Sequence, residues 1–498
     1  MLAMSAVSAA GTVDTHAKAI NQPQQSSRDS DWQQIAKLTA SDAAPEHIFG
    51  YAVDIDGDYV VIGQGFHSFN ASAYIFKRTD GNWTQEAILI PSDGFPGNAF
   101  GYSVAINEDT VIIGAPAVSE WTGAAYIFIR AGTMWIQQAK LTPPDGIVAD
   151  EFGFSVDLSG DTAVIGASYA GNGWSGKAYV FTRNDSTWGY ESTLTASDGQ
   201  PEDQFGWSVA VSGDYAVIGS VYDDERTGSA YVFTRTGTTW TQQAKLMATD
   251  AALEDAFGVS VAIDQDTIVV GAGWKDTFIG AAYIYTRAGT IWAQQAKINA
   301  SDGTNGNEFG MAVAISGNTV AVGARFVNVW TGAAYIFSRS GTTWTEEARI
   351  NASDGEYFDQ FGWSIAIDGN TVIAGAPGET SSYTGAAYIF TKPITLLPQL
   401  SLLLKGGLGL VIRVDNKGSA NATNVNVTCE VSGGFILFGK YTQQKISNIG
   451  VNQSDTFKTL IVGLGPATMK VSAVCDEGIA TKKNINASVF LILVYGIK

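Results

Sequence analysis

A chain of 498 residues with 45% hydrophobic and only 15% charged residues has the apolar content to bury large cores, which excludes a disordered chain. Its formal net charge of -19 speaks against nucleic acid or an anionic membrane as partner, since both select clustered Lys and Arg. It fits solubility in a salty or extracellular medium, or the attraction of cations.

The chain opens with MLAMSAVSAAGTVDTHAKA, apolar and rich in small residues, where Val7-Ser8-Ala9 reads as a signal-peptidase site. Residues 1–30 are therefore expected to be a signal-peptide remnant and flexible tail. Asn70, Asn82, Asn184, Asn299, Asn351, Asn421, Asn426, Asn452 and Asn486 all stand in N-x-S/T, as expected of an exported glycoprotein. No stretch reaches the roughly 20 apolar residues of a membrane helix, and the final VFLILVYGI is strand-length.

From Trp32 to about Phe390 one unit of about 52 residues recurs. Phe-Gly pairs start at Phe49, Phe100, Phe152, Phe205, Phe257, Phe309 and Phe361, and they interleave with Trp32, Trp83, Trp135, Trp188, Trp240, Trp292 and Trp344. Within a unit, AFGYSVAI, TVIIGA, GAAYIFIR and MWIQQAKL are four strands rich in β-branched and aromatic residues. The first two are apolar on both faces, as sandwiched strands must be. The fourth alternates, with Trp240, Gln242, Ala244 and Leu246 on one side and Thr241, Gln243 and Lys245 on the other. Turns such as Asp56-Gly57-Asp58 and Ser212-Gly213-Asp214 join the first two strands.

The unit that starts at Phe361 offers three strands before Pro393 and lacks its Trp segment. DWQQIAKLTASD at residues 31–42 matches that segment, so Trp32 to Leu38 is expected to complete the seventh sheet and close a ring without free edges. The predicted fold class is all-β: a seven-bladed β-propeller over residues 31–392, then a small β-sandwich over 399–498.

FGYSVAI, TVIIGAP and GAAYIF resemble the FG-GAP repeat family, the seven-bladed propeller of integrin α-subunit heads and of many bacterial and archaeal surface proteins. Gly-Ala-Pro stands intact at Gly114-Ala115-Pro116 and Gly375-Ala376-Pro377. The resemblance implies a cell-surface adhesion role. Members that bind calcium carry a long D-x-D-x-D-G loop between strands one and two, and here that loop is a short turn, so no cofactor is expected there. The acidic connections from strand four to the next strand one, with Asp145 and Asp150, Asp250 and Asp255, Asp354 and Asp359, read as Asp-Gly turns with local carboxylate-to-amide bonds; weak calcium binding is the alternative.

Connections from strand two to three and from four to one emerge on one rim. The former are the least repetitive part of each unit and also carry Tyr169 and Phe326. Their expected ligand-binding residues are Phe66, Phe69, Trp121, Trp174, Tyr222, Asp223, Asp224, Trp274, Trp330 and Tyr383, because aromatics beside carboxylates suit sugar faces and peptides alike. Packing between blades is the alternative for any one of them. His16, His47 and His67 are the only histidines and recur with no partner, so catalysis is not expected.

In the tail, which resembles bacterial and archaeal immunoglobulin-like (CARDB-like) spacers at VDNKGSANATNVNV, strands alternate with turns every 8 to 12 residues. Cys429 and Cys475 read as one disulfide, hence an oxidising compartment, with two free buried thiols as the alternative. The expected function is a secreted or cell-surface interaction protein offering its rim to a protein or glycan. A sugar-specific lectin and a polysaccharide-active enzyme are the alternatives.

Overall fold

The computed structural model describes residues 31–65, 72–94, 97–378, 383–393, 399–405, 407–408, 410–476, 480–491 and 493–495. The chain divides into two compact units, Met1–Pro393 and Ile394–Lys498. The first folds as a seven-bladed β-propeller, with seven four-stranded antiparallel sheets among the described residues.

Blades are numbered here from the Phe-Gly pair that opens each. In blade two the strands Ser103–Asn107, Thr110–Ala115, Ala124–Ala131 and Met134–Leu141 lie in sequence order. TVIIGA at 110–115 is buried throughout, which is why it is β-branched on both faces. The first strand of every blade contacts the first strands of both neighbours, and Ile365–Asp368 of blade seven meets Phe49–Asp56 of blade one. The first strands thus form the innermost ring, and it is closed.

Closure uses the N-terminal segment. Gln33–Leu38 pairs antiparallel with Ala386–Thr391, from Gln33 opposite Thr391 to Leu38 opposite Ala387, and supplies the fourth strand of blade seven. Side chains sew the same seam: Trp32 Nε1 donates to Glu347 Oε1 at 3.0 Å, and Lys37 Nζ to Asp354 Oδ2 at 2.8 Å.

Each Phe of the Phe-Gly pairs is at most 1% exposed and fills the space between blades. Phe152, for example, meets the rings of Tyr179 and Phe181 at 5.4 and 6.0 Å. Two glycines explain the repeated Gly positions. A Cβ on Gly123, at φ 90°, would lie 2.0 Å from the Phe152 carbonyl oxygen, and one on Gly153, at φ 91°, would lie 2.4 Å from that of Ala124.

The outer strand departs from simple alternation. Every blade carries a β-bulge there, as between residues 242 and 244, and Gln242 and its neighbour Gln243 reach opposite ways. Gln242 Oε1 accepts from the Ser197 N–H at 2.9 Å, while Gln243 Oε1 accepts from Trp292 Nε1 of the next blade at 2.8 Å. Glu86, Gln138, Glu191, Gln295 and Glu347 accept from the following Trp in the same way. Ile35 stands at this place in blade seven, and Trp83 Nε1 is left buried without a partner among the described residues.

The second unit is a β-sandwich. A three-stranded sheet of Leu400–Lys405, Leu410–Asn416 and Ser454–Thr459 shares one core with a larger sheet that includes Ala422–Ser432, Tyr441–Ile449 and Val462–Val474. Buried Asn416 fixes the VDNKGSA turn, its Nδ2 donating to the carbonyls of Ala420 and Ile449 at 2.7 and 3.0 Å. The expected disulfide is corrected: Cys429 lies opposite Val471, four residues from Cys475 along that strand. Four strand residues span about 13 Å, whereas disulfide-linked Cα atoms lie within about 7 Å.

Candidate ligand-binding collar

The residue that follows each Phe-Gly pair leaves the space between blades and faces the mouth of the ring. Around the ring these are Tyr51, Tyr102, Phe154, Trp207, Val259, Met311 and Trp363. Five are aromatic and form an unbroken arc, with centroids 5.4 Å apart from Trp363 to Tyr51, then 5.1, 5.1 and 4.8 Å on to Tyr102, Phe154 and Trp207. They line a cavity of about 950 Å³ together with Glu46, Trp121, Glu151, Tyr169, Gln360 and Tyr383. Its walls are aromatic and its few polar groups converge, the general make-up of a ligand site.

Backbone latches hold this collar. The carbonyls of Trp121, Trp174, Arg226, Phe278, Trp330 and Tyr383, one in each of six rim loops, accept from the N–H of Glu151, Gln204, Ala256, Glu308, Gln360 and Ile48 in the next blade at 2.8 to 3.2 Å. All twelve residues have positive φ. A non-glycine residue in that region costs energy, and the interblade bond is what over-determines it. The latch fixes the main chain and leaves the side chains of Trp121, Trp174, Trp330 and Tyr383 exposed.

Two blades solve the same electrostatic problem differently. In blade six, Glu308 precedes Phe309, and Arg325 bonds it at 2.7 Å while its guanidinium lies 4.3 Å from the Trp363 ring of blade seven. The equivalent positions are Glu151 and Ser168 in blade three and Trp207 in blade four. No cation is supplied there. The Glu151 side chain has no hydrogen-bond or ion-pair partner among the described residues, and burial pushes its carboxyl up to about 7. Ser168 is fully buried and its Oγ has no partner among the described residues.

The expected site residues fall in different places. Trp121 and Tyr383 line the collar cavity. Trp174 lines a neighbouring acidic cavity of about 730 Å³ with Tyr222, Asp223 and Asp224. Tyr222 and Trp274 are partly buried around Val221 and Val259. Asp223 is buried, accepting from Tyr231 Oη at 2.8 Å and pairing with Lys245 at 2.8 Å; Asp224 pairs with the same lysine at 3.1 Å. Both carboxylates are thus engaged within the protein. Trp330 stacks on Phe326 at 4.7 Å and meets Phe358 edge-on. Phe66, Phe69 and His67 lie outside the described residues, as do His16 and residues 1–30. His47 faces Gln64 Nε2 at 3.1 Å.

The acidic connections are local turns. Asp150, Asp203, Asp255 and Asp359 each accept from the main-chain N–H three residues earlier. The aspartates that open these connections instead latch blades: Asp145, Asp198, Asp250 and Asp302 accept from Tyr179, Tyr231, Tyr283 and Tyr335 Oη. Each of these four also pairs with a Lys or Arg, which takes the place a cation would need.

A family model described as the FG-GAP repeat matches residues 32–76, 83–128, 135–181, 188–233, 240–285, 292–337 and 344–390. No curated protein matches the chain.

Proposed function

We propose that this chain, which belongs to the FG-GAP repeat family, is a non-catalytic interaction protein of the cell exterior whose collar takes a basic side chain of a protein ligand. The observation that carries the reading is the pair of equivalent slots: Arg325 fills the one between blades six and seven, while Ser168 stands in its place between blades three and four and leaves Glu151 and Trp207 without a cation among the described residues. A guanidinium or ammonium from outside would meet the two chemistries that Arg325 meets in its own slot, a carboxylate and an aromatic face. Tyr102 and Phe154 extend the apolar wall, so a long aliphatic stem is covered as well. Secretion or surface display fits the small-residue opening segment and the N-x-S/T sites.

A peptide-display library selected on wild type and on Ser168→Arg tests this. Enrichment of Arg or Lys at one position on wild type, abolished when Ser168→Arg fills the slot from within, is the expected outcome. Equal enrichment on both proteins contradicts it.

A glycan is the second reading, favoured by the Phe326–Trp330 stack, whose Trp330 ring is 44% exposed beside Phe358 at 49%. Such a platform suits the apolar face of a sugar. Selective sugar binding on a glycan array, lost in Trp330→Ala and retained in Glu151→Gln, would favour it.

A further inference from the structure

The second unit carries an apolar patch that nothing in the propeller requires. Strand Phe435–Phe438, reached through the Gly433-Gly434 turn, turns Ile436 into the core and leaves Phe435, Leu437 and Phe438 62 to 70% exposed. The strand pairs with Val462–Val474, Phe435 opposite Leu464, and has no ladder partner on its other edge among the described residues. A Cβ on Gly439 would lie 2.3 Å from the Leu460 carbonyl oxygen, which brings Leu460 against the same tip. With Tyr441, six large apolar side chains gather at one place, all exposed. An edge strand of this composition aggregates or is covered.

Charge points to the cover. Residues 394–498 hold 10 Lys and Arg against 5 Asp and Glu, while residues 1–393 hold 19 against 43. The overall -19 hides this division, so the argument from total charge against an anionic surface does not reach the second unit. Lys440 and Lys458 stand two residues from Phe438 and Leu460, are exposed, and form no ion pair among the described residues. Aromatic and leucine side chains at a projecting tip, bordered by lysines, match the water-to-hydrocarbon boundary of a bilayer, where rings settle among headgroups and lysines meet phosphates.

We infer that the Phe435–Tyr441 tip is a peripheral anchor that docks the chain on a lipid surface with anionic headgroups. Screening confines the attraction to charges within about 8 Å of the surface, which the two tip lysines supply. Each lysine near such a surface is worth about fivefold in partitioning.

Co-sedimentation of the full chain with vesicles of phosphatidylcholine and phosphatidylglycerol in a 7:3 ratio tests the anchor. The expected results are binding that weakens at least tenfold in Phe435→Ser/Phe438→Ser, and binding that weakens more than tenfold in Lys440→Glu/Lys458→Glu or on vesicles of phosphatidylcholine alone. These are surface positions, so each variant should melt like wild type, and melting is recorded as the control for folding. Absence of wild-type binding, or binding unchanged in the folded double variants, overturns the inference. So does self-association in sedimentation equilibrium that disappears in Phe435→Ser/Phe438→Ser, because the patch would then be covered by a second copy.

Discussion

The carbonyl oxygen of Trp121 accepts from the backbone N–H of Glu151 at 2.8 Å, so a rim loop of one blade places the unpaired collar carboxylate of the next. The bond is main chain to main chain. Side-chain changes at Trp121 therefore act on ligand contact, whereas changes that move its backbone act on the ring.

Gly123→Ala separates these effects. The added Cβ has no room against the Phe152 carbonyl, and the blade interface must open to admit it. The expected cost is more than about 2 kcal/mol. Trp121→Ala, by contrast, should melt within a degree or two of wild type and weaken ligand binding. Denaturant unfolding of the two variants checks both halves.

The ring should be most stable in mildly acidic buffer. Burial lifts Glu151 to about 7, from an ordinary value of 4.5, and lifts Asp54 and Asp157, which accept from the N–H of Ile106 and Val211, to about 8 and about 7. A carboxyl with a raised value binds its proton more tightly in the folded protein, so stability falls as pH climbs from 4.5 through 7. Asp250 behaves oppositely. Burial works to raise it, but hydrogen bonds from Lys297 and Tyr283 prevail and hold it at about 2, so its contribution is lost as pH drops below about 4. Glu151→Gln should raise the melting temperature at pH 8 and leave it unchanged at pH 4.

Ile35→Gln should repair the seam. It would give Trp83 Nε1 the acceptor that the other six tryptophans have, for a gain of about 1 kcal/mol measured by denaturant unfolding. No gain would mean that water or a shift of the outer strand already serves the indole.

Reducing agent should not change the melting curve of the second unit. Cys429 and Cys475 are too far apart along the sheet to bridge, and burial pushes the Cys429 thiol up to about 11, which makes it unreactive. Thiol titration should find both groups only after unfolding. A reductant-sensitive transition would contradict the strand register.

The propeller was legible because each repeated residue has a local duty: Phe fills the blade interface, Gly admits a neighbouring carbonyl, Trp reaches the outer strand next door. Closure was legible because DWQQIAKL matches a missing strand. The collar was not, since Tyr51, Tyr102, Phe154, Trp207 and Trp363 sit inside strand-like runs and vary in kind. Only the closed ring brings residues from five blades into one arc. The rim aromatics drew attention through their variability, yet Tyr222 and Trp274 are half packed and Asp223 is consumed by Tyr231 and Lys245. Comparing Arg325 with Ser168 in the repeat alignment was the signal that could have pointed to Glu151. The tail cysteines failed because parity along a strand says which face a residue takes, and register alone says what lies opposite.

The most direct measurement is the affinity of the selected peptide for wild type, Glu151→Gln and Ser168→Arg between pH 5 and pH 8. Wild-type affinity should rise as Glu151 ionises near pH 7, and both variants should bind at least tenfold more weakly at pH 8. A library that yields no basic peptide, or an affinity indifferent to pH and to both substitutions, would contradict the collar as the ligand site.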